Sequence, residues 1–212
     1  MGVKIYFLRH GETIYSRTNS YCGDTDAELT PEGEQMAVAF AEAYHPLPWL
    51  AVYASPMRRT IATAQPLCNA IQMEMQLRQG LKEIAYGDWE TKNAQIVKQT
   101  YPDEYTRWVA EPAWHAPPGG ETSLQIANRA LPVIAEIEAT YSEGNVLVVS
   151  HKATIRIILC SLLGIDLGRY RDRLDVPAGS LSVVAFEKYG PRLERLGDRS
   201  YMPAHLHHLP GS

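Results

Sequence analysis

The chain has 212 residues, 45% of them hydrophobic and 21% charged, with a net charge of −4. That length carries one full hydrophobic core, and the composition is that of an ordinary globular protein rather than a disordered or fibrous one. The negative balance excludes nucleic acid and an anionic membrane as bulk partners, but not a small acidic ligand held in a locally cationic pocket.

No apolar run reaches the roughly 20 residues of a membrane span, and the N-terminus enters a strand at once with no signal-peptide core, so a cytoplasmic location is expected. Cys22, Cys68 and Cys160 are odd in number and far apart, which fits reduced thiols. With no C-x-x-C pair among them, no zinc site is expected.

The first element is an apolar run, Val3 to Leu8, rich in β-branched and aromatic residues without strict alternation. It reads as a buried parallel strand that stops at Arg9-His10-Gly11-Glu12-Thr13. Ile14 to Leu29 follows as a long polar loop, and loops of that length usually serve function. Thr30-Pro31 supplies a helix cap and a first-turn proline, and Ala37, Phe40, Ala41 and Tyr44 recur at helical spacing before His45-Pro46. Leu50–Ala54 is the second strand, and a helix is predicted from Arg58 to Ile71. A short strand is predicted over Leu77–Glu83, with Glu83 at its end.

The segment from about residue 85 to 120 is irregular and aromatic, and it closes in Pro117-Pro118-Gly119-Gly120-Glu121-Thr122. It reads as a small helical cap over the sheet rim. Ser123 to Tyr141 has one apolar side, with Pro132 expected to kink or split it. Asn145–Val149 is the third buried strand, followed by a helix that ends at Gly164. Leu181–Phe186 is a late strand, with Arg192–Leu196 its hairpin partner. His205, His207 and His208 read as a mobile tail rather than metal ligands, and the final Gly211-Ser212 as an expression remnant.

Three of the apolar runs stop in cationic or imidazole residues: Arg9-His10, Ser55-Pro56-Met57-Arg58-Arg59-Thr60, and Ser150-His151-Lys152-Ala153-Thr154-Ile155-Arg156. In one parallel sheet the carboxyl ends of these strands share a rim, where such sheets bind ligands. Two histidines and at least two arginines on one rim suit a phosphoryl group. Arginine forks bind its oxygens, a neutral imidazole serves as nucleophile, and a carboxyl group beside the anion delivers a proton to the leaving oxygen. Taken alone, each histidine reads as structural; the combination is what points to catalysis.

Leu8-Arg9-His10-Gly11-Glu12-Thr13 resembles the signature of the histidine phosphatase superfamily, in its phosphoglycerate mutase-like branch. Ser55–Thr60 resembles its second arginine motif, Glu83 with Gly87–Glu90 its proton-donor segment, Pro117–Thr122 its glycine turn, and Ser150-His151 its second histidine motif. All stand in the family's order, over nearly the whole chain.

The resemblance implies a single domain over 1–212 and an α/β three-layer sandwich with a mostly parallel central sheet, flanking helices and a small cap. It implies that His10 is phosphorylated, that Arg9, Arg59 and His151 hold the phosphoryl oxygens, and that Glu83 is the acid and then the base. Glu12 and Glu90 are its nearby alternatives in sequence. Cys22, Gly23 and Lys152 are candidate substrate contacts, although Lys152 stands where the family often has glycine and reads equally well as a solvated charge. Ser16 replaces a common asparagine, and Arg58 reads as a solvated helix charge. No metal or other cofactor is implied, and a homodimer is compatible with it.

The expected activity is that of a histidine acid phosphatase-type monoester hydrolase acting on a small phosphorylated metabolite. Ala110–Ala116, where related mutases carry an arginine pair, holds no Arg or Lys. A cofactor-dependent phosphoglycerate mutase is therefore the runner-up. A non-catalytic phospho-ligand binding module is the contrasting reading.

Overall fold

A computed structural model describes residues 2–207 and 209. Six strands form one sheet: β1 (Val3–Arg9), β2 (Trp49–Ala54), β3 (Met75–Leu77), β4 (Gly144–Ser150), β5 (Leu181–Glu187) and β6 (Gly190–Asp198). They lie in the order β3-β2-β4-β1-β5-β6. The first four pair in parallel, and β5 alone runs against its neighbours β1 and β6.

Helices cover both faces of this sheet, because its central strands β1, β2 and β4 are apolar on both sides. Ile5, Phe7, Tyr53, Val146 and Val148 pack on one face against α6 (Ser123–Thr140) and α7 (Lys152–Leu163). Leu8, Val52, Ala54, Leu147 and Val149 pack on the other against α2 (Pro31–Tyr44) and α3 (Arg58–Ile71). This is the α/β three-layer sandwich with a mostly parallel central sheet.

Three local expectations need correction. The loop after the first strand contains a short helix, α1 (Ile14–Arg17), set by a capping box in which Thr13 and Ser16 bond each other's backbone amides. The strand expected over Leu77–Glu83 ends at Leu77, and a 3₁₀ turn follows at Gln79–Leu81. The cause is tertiary. A Cβ on Gly80 would lie 2.2 Å from the carbonyl oxygen of Arg129 on α6, so the chain presses backbone to backbone there instead of extending the sheet.

Third, α6 is continuous across Pro132. Pro132 and Asn128 are both exposed, so the carbonyl that loses its helical donor faces water.

Between β3 and α6 the chain forms α4 (Ala94–Thr100) and α5 (Pro102–Ala110), packed around Trp89 and Trp108. After α7 come α8 (Tyr170–Arg173), the β5–β6 hairpin and α9 (Ala204–His207). The tail expectation fails for its described part: Leu206 is fully buried and His207 Nε2 donates to the Met202 carbonyl at 2.8 Å. His208 and Gly211-Ser212 lie outside the described residues.

Candidate active site

Strand register builds the rim. Arg9 pairs with Ser150 across β1 and β4, and Ala54 with Val149 across β2 and β4, so His10, Ser55 and His151 leave the sheet side by side. Two further backbone bonds hold them level, His10 N–H to Ser150 O at 3.0 Å and Ser55 N–H to Val149 O at 3.1 Å. The rings of His10 and His151 meet with centroids 5.2 Å apart and planes at 62°. Gly11 is required just beyond: a Cβ there would lie 2.3 Å from the Gly33 carbonyl oxygen on α2.

Both imidazoles are neutral at neutral pH. Burial, then Arg59 and Arg9, holds His10 well below 6.5, with the Gly11 carbonyl opposing. Burial, then Arg59 and His10, does the same to His151. Tautomers follow from the partners. His10 Nδ1 lies 2.7 Å from the Gly11 carbonyl oxygen, which only accepts, so Nδ1 carries the proton and Nε2 keeps its lone pair. His151 Nδ1 accepts from Arg59 Nε at 3.2 Å, so its Nε2–H donates to Ser55 Oγ at 2.9 Å.

Arg59, from the first turn of α3, is 1% exposed. Besides His151 it donates to the carbonyls of Thr25, Gly23 and Cys22, tying the loop after α1 to the sheet rim. Arg9 is buried and braced by the Val176 carbonyl at 2.9 Å; burial brings its pKa down to about 10. Arg58 points outward and pairs with Glu28.

Glu83 is 6% exposed and reaches the same cavity as Arg9 and His10. Its carboxylate accepts from the backbone N–H groups of Ala153 and Thr154 at 3.2 Å each. Two first-turn amides of α7 are thus taken by Glu83, which a helix N-terminus attracts as it would any anion. Arg129 fixes the segment from behind, donating to the carbonyls of Gly80, Lys82 and Glu83, and Glu121 of the glycine turn holds Arg129 at 2.9 Å.

The two other carboxylates are committed elsewhere. Glu12 is fully buried and bonded to Arg17 and Thr30, and Glu90 accepts amides of Gly23, Asp24, Thr25 and Tyr86.

These residues open into a cavity of about 420 Å³. Arg9, His10, Ser16, Cys22, Arg59, Glu83 and Lys152 line it, together with Tyr86, Tyr105 and Trp108 from the aromatic segment. His151 and Gly23 do not line it. His151 is fully buried and touches Arg59 and Ser55, and Gly23 shapes the loop through Arg59 and Glu90. Trp114 also stands apart, 72% exposed.

Burial of Cys22 pushes its thiol up to about 11, so it faces the cavity as a thiol, its Sγ 3.3 Å from the Thr25 carbonyl. Lys152 proves to be a cavity residue. Burial, then Arg9 and Arg156, brings its ammonium down to about 7.

Sequence reasoning placed Arg156 in the third rim segment without a role and passed over Arg171; both line the same cavity. Arg156 carried a signal, standing one helical turn after Lys152 and so on the same face of α7. Arg171 carried none, since only the packing of α8 under the aromatic segment brings it in. Among the described residues, no group of three or more His, Cys, Asp or Glu side chains is placed to hold a metal ion, and no helix is long and apolar enough to cross a membrane.

Comparison with known proteins agrees with this geometry. The chain is 30% identical to phosphoserine phosphatase 1 of Hydrogenobacter thermophilus over 168 residues, covering 79% of this chain and 80% of that protein. It is 29% identical to the glucosyl-3-phosphoglycerate phosphatase of Mycolicibacterium vanbaalenii, over 79% of this chain and 77% of the relative. A mycobacterial glucosyl-3-phosphoglycerate phosphatase solved with VO3 superposes with a TM-score of 0.83 at 27% identity, covering 92% of this chain and 98% of that one. The sequence profile of the histidine phosphatase superfamily (branch 1) spans residues 5–199, and the chain belongs to that superfamily.

Proposed function

We propose that the protein is a phosphatase that hydrolyses a small phosphate monoester through a phospho-histidine on His10. The observation that carries this reading is the pair of facing neutral imidazoles at a cavity walled by Arg9, Arg59 and Glu83. The names of its relatives, phosphoserine phosphatase and glucosyl-3-phosphoglycerate phosphatase, support the same class of substrate.

In the first step His10 Nε2 attacks phosphorus while Arg9 and Arg59 neutralise the oxygens, and Glu83 protonates the departing alkoxide. In the second, Glu83 takes a proton from water, the oxygen attacks phospho-His10, and orthophosphate leaves. The Gly11 carbonyl keeps His10 in the reactive tautomer. His151 anchors the Nε of Arg59 and so aims its guanidinium, acting on the phosphoryl group at one remove. The chemistry asks for no metal, because guanidinium and imidazole groups do the work of a cation.

The test is hydrolysis of p-nitrophenyl phosphate in the presence of a chelator. Wild type turns over and leaves a phosphoryl group trapped on His10, whereas His10→Ala loses activity by at least about 10³-fold. Binding of phosphate with no turnover across a monoester panel would overturn the reading in favour of a binding module. Interconversion of phosphoglycerates primed by 2,3-bisphosphoglycerate would overturn it in favour of a mutase.

A further inference from the structure

We propose that the substrate carries a second anionic group, a carboxylate or a second phosphate, and that Lys152, Arg156 and Arg171 hold it. This rests on the phosphatase reading and names the substrate class for that same site.

One phosphoryl group is already matched in charge by Arg9 and Arg59. The cavity nevertheless has three more cations in its wall, two on successive turns of α7 and one from α8. Like charges gathered in a partly desolvated wall repel one another, and few acids relieve them. Glu83 is bonded to the α7 amides. Asp175 meets Arg156 at 3.3 Å but is itself 79% exposed, so water screens it.

Two details show that the cluster is incomplete without a ligand. The Arg156 side chain is 11% exposed, and its buried Nε–H has no hydrogen-bond partner among the described residues. A buried donor left this way is destabilising, and an anionic acceptor bonded to it would remove that cost. Arg171 has no carboxylate partner within 4.0 Å among the described residues; its Cζ lies over the ring of Trp108, 3.8 Å from the centroid. A cation–π contact uses none of the guanidinium N–H groups on a carboxylate, so they remain able to donate to a carboxylate or phosphate. The low proton affinity of Lys152 comes first from burial and then from Arg9 and Arg156, and a bound anion would offset both.

The experiment compares kcat/KM for matched pairs that differ only in the second group. D-3-phosphoglycerate is set against sn-glycerol 1-phosphate, which has the same configuration at its central carbon, and propane-1,3-diol bisphosphate against 3-hydroxypropyl phosphate. The proposal expects a preference of about tenfold or more for the charged member of at least one pair, and that pair identifies carboxylate or phosphate as the second group. It also expects Lys152→Gln or Arg171→Gln to reduce this preference by about threefold or more.

A smaller wild-type preference in both pairs overturns the proposal, as does a preference that both variants retain. p-Nitrophenyl phosphate carries no second anion and separates the two readings. If it is hydrolysed without any charged-pair preference, the phosphatase reading stands and the second-anion site falls. If nothing is hydrolysed, both fall.

Discussion

The Gly11 carbonyl, 2.7 Å from His10 Nδ1, leaves the lone pair of the other ring nitrogen for attack, and burial beside two guanidinium groups keeps the ring unprotonated. Under the proposed mechanism Glu83 divides the work with it, and the acid role proposed for it has a signature in the leaving group. A nitrophenolate departs without help, whereas an alkoxide needs a proton. Glu83→Gln is therefore expected to lower kcat/KM for an alkyl phosphate by about 10²–10⁴-fold and for p-nitrophenyl phosphate by far less. Equal losses on both substrates in steady-state assays would assign Glu83 a purely structural part.

At the scale of elements, α7 shows how one helix serves several ends. Its first amides fix the Glu83 carboxylate, its first residue is Lys152, and the next turn adds Arg156. Helix α6 braces the backbone of the same residue through Arg129, which donates to the Glu83 carbonyl, and it runs unbroken past Pro132. That proline lacks a backbone donor in a helix that otherwise keeps its ladder, so Pro132→Ala should stabilise the protein by about 1–3 kcal/mol in urea denaturation. A loss of stability would mean that the proline itself is needed for α6 to follow the sheet.

For the molecule as a whole, the buried histidines tie folding to pH. The unfolded chain protonates each near 6.5, while the folded one resists until well below that value. In that window the unfolded state binds more protons, so stability is lost as pH falls below about 6.5. Thermal denaturation across pH 5–8 checks this, and the acid-side decline should be shallower in His10→Gln. Lys152, pushed down to about 7 by burial and facing Arg9, Arg156, Asp175 and Glu83, works in the same direction at higher pH. Its contribution improves as pH rises from about 7 towards the ordinary lysine value, because only the unfolded state then holds the proton.

The strands, most of the helices and the meeting of His10 with His151 were legible in the chain itself. Apolar runs that end abruptly in Arg and His declare both a buried strand and the polar rim beyond it, and one parallel register then aligns those rims. Periodicity said nothing of the segment at Gly80, where contact with the α6 backbone replaced a strand by a turn. Nor did residue type alone separate Glu83 from Glu12 and Glu90, since all three are acids beside signature motifs. Only packing decided which of them found arginine or loop amides and which faced the cavity.

The same holds for Arg171 and for the place of His151 behind Arg59. Sequence fixes what a residue offers chemically. The neighbours that desolvate it, pair it or leave it open come from distant parts of the chain, and folding alone brings them within a few ångströms.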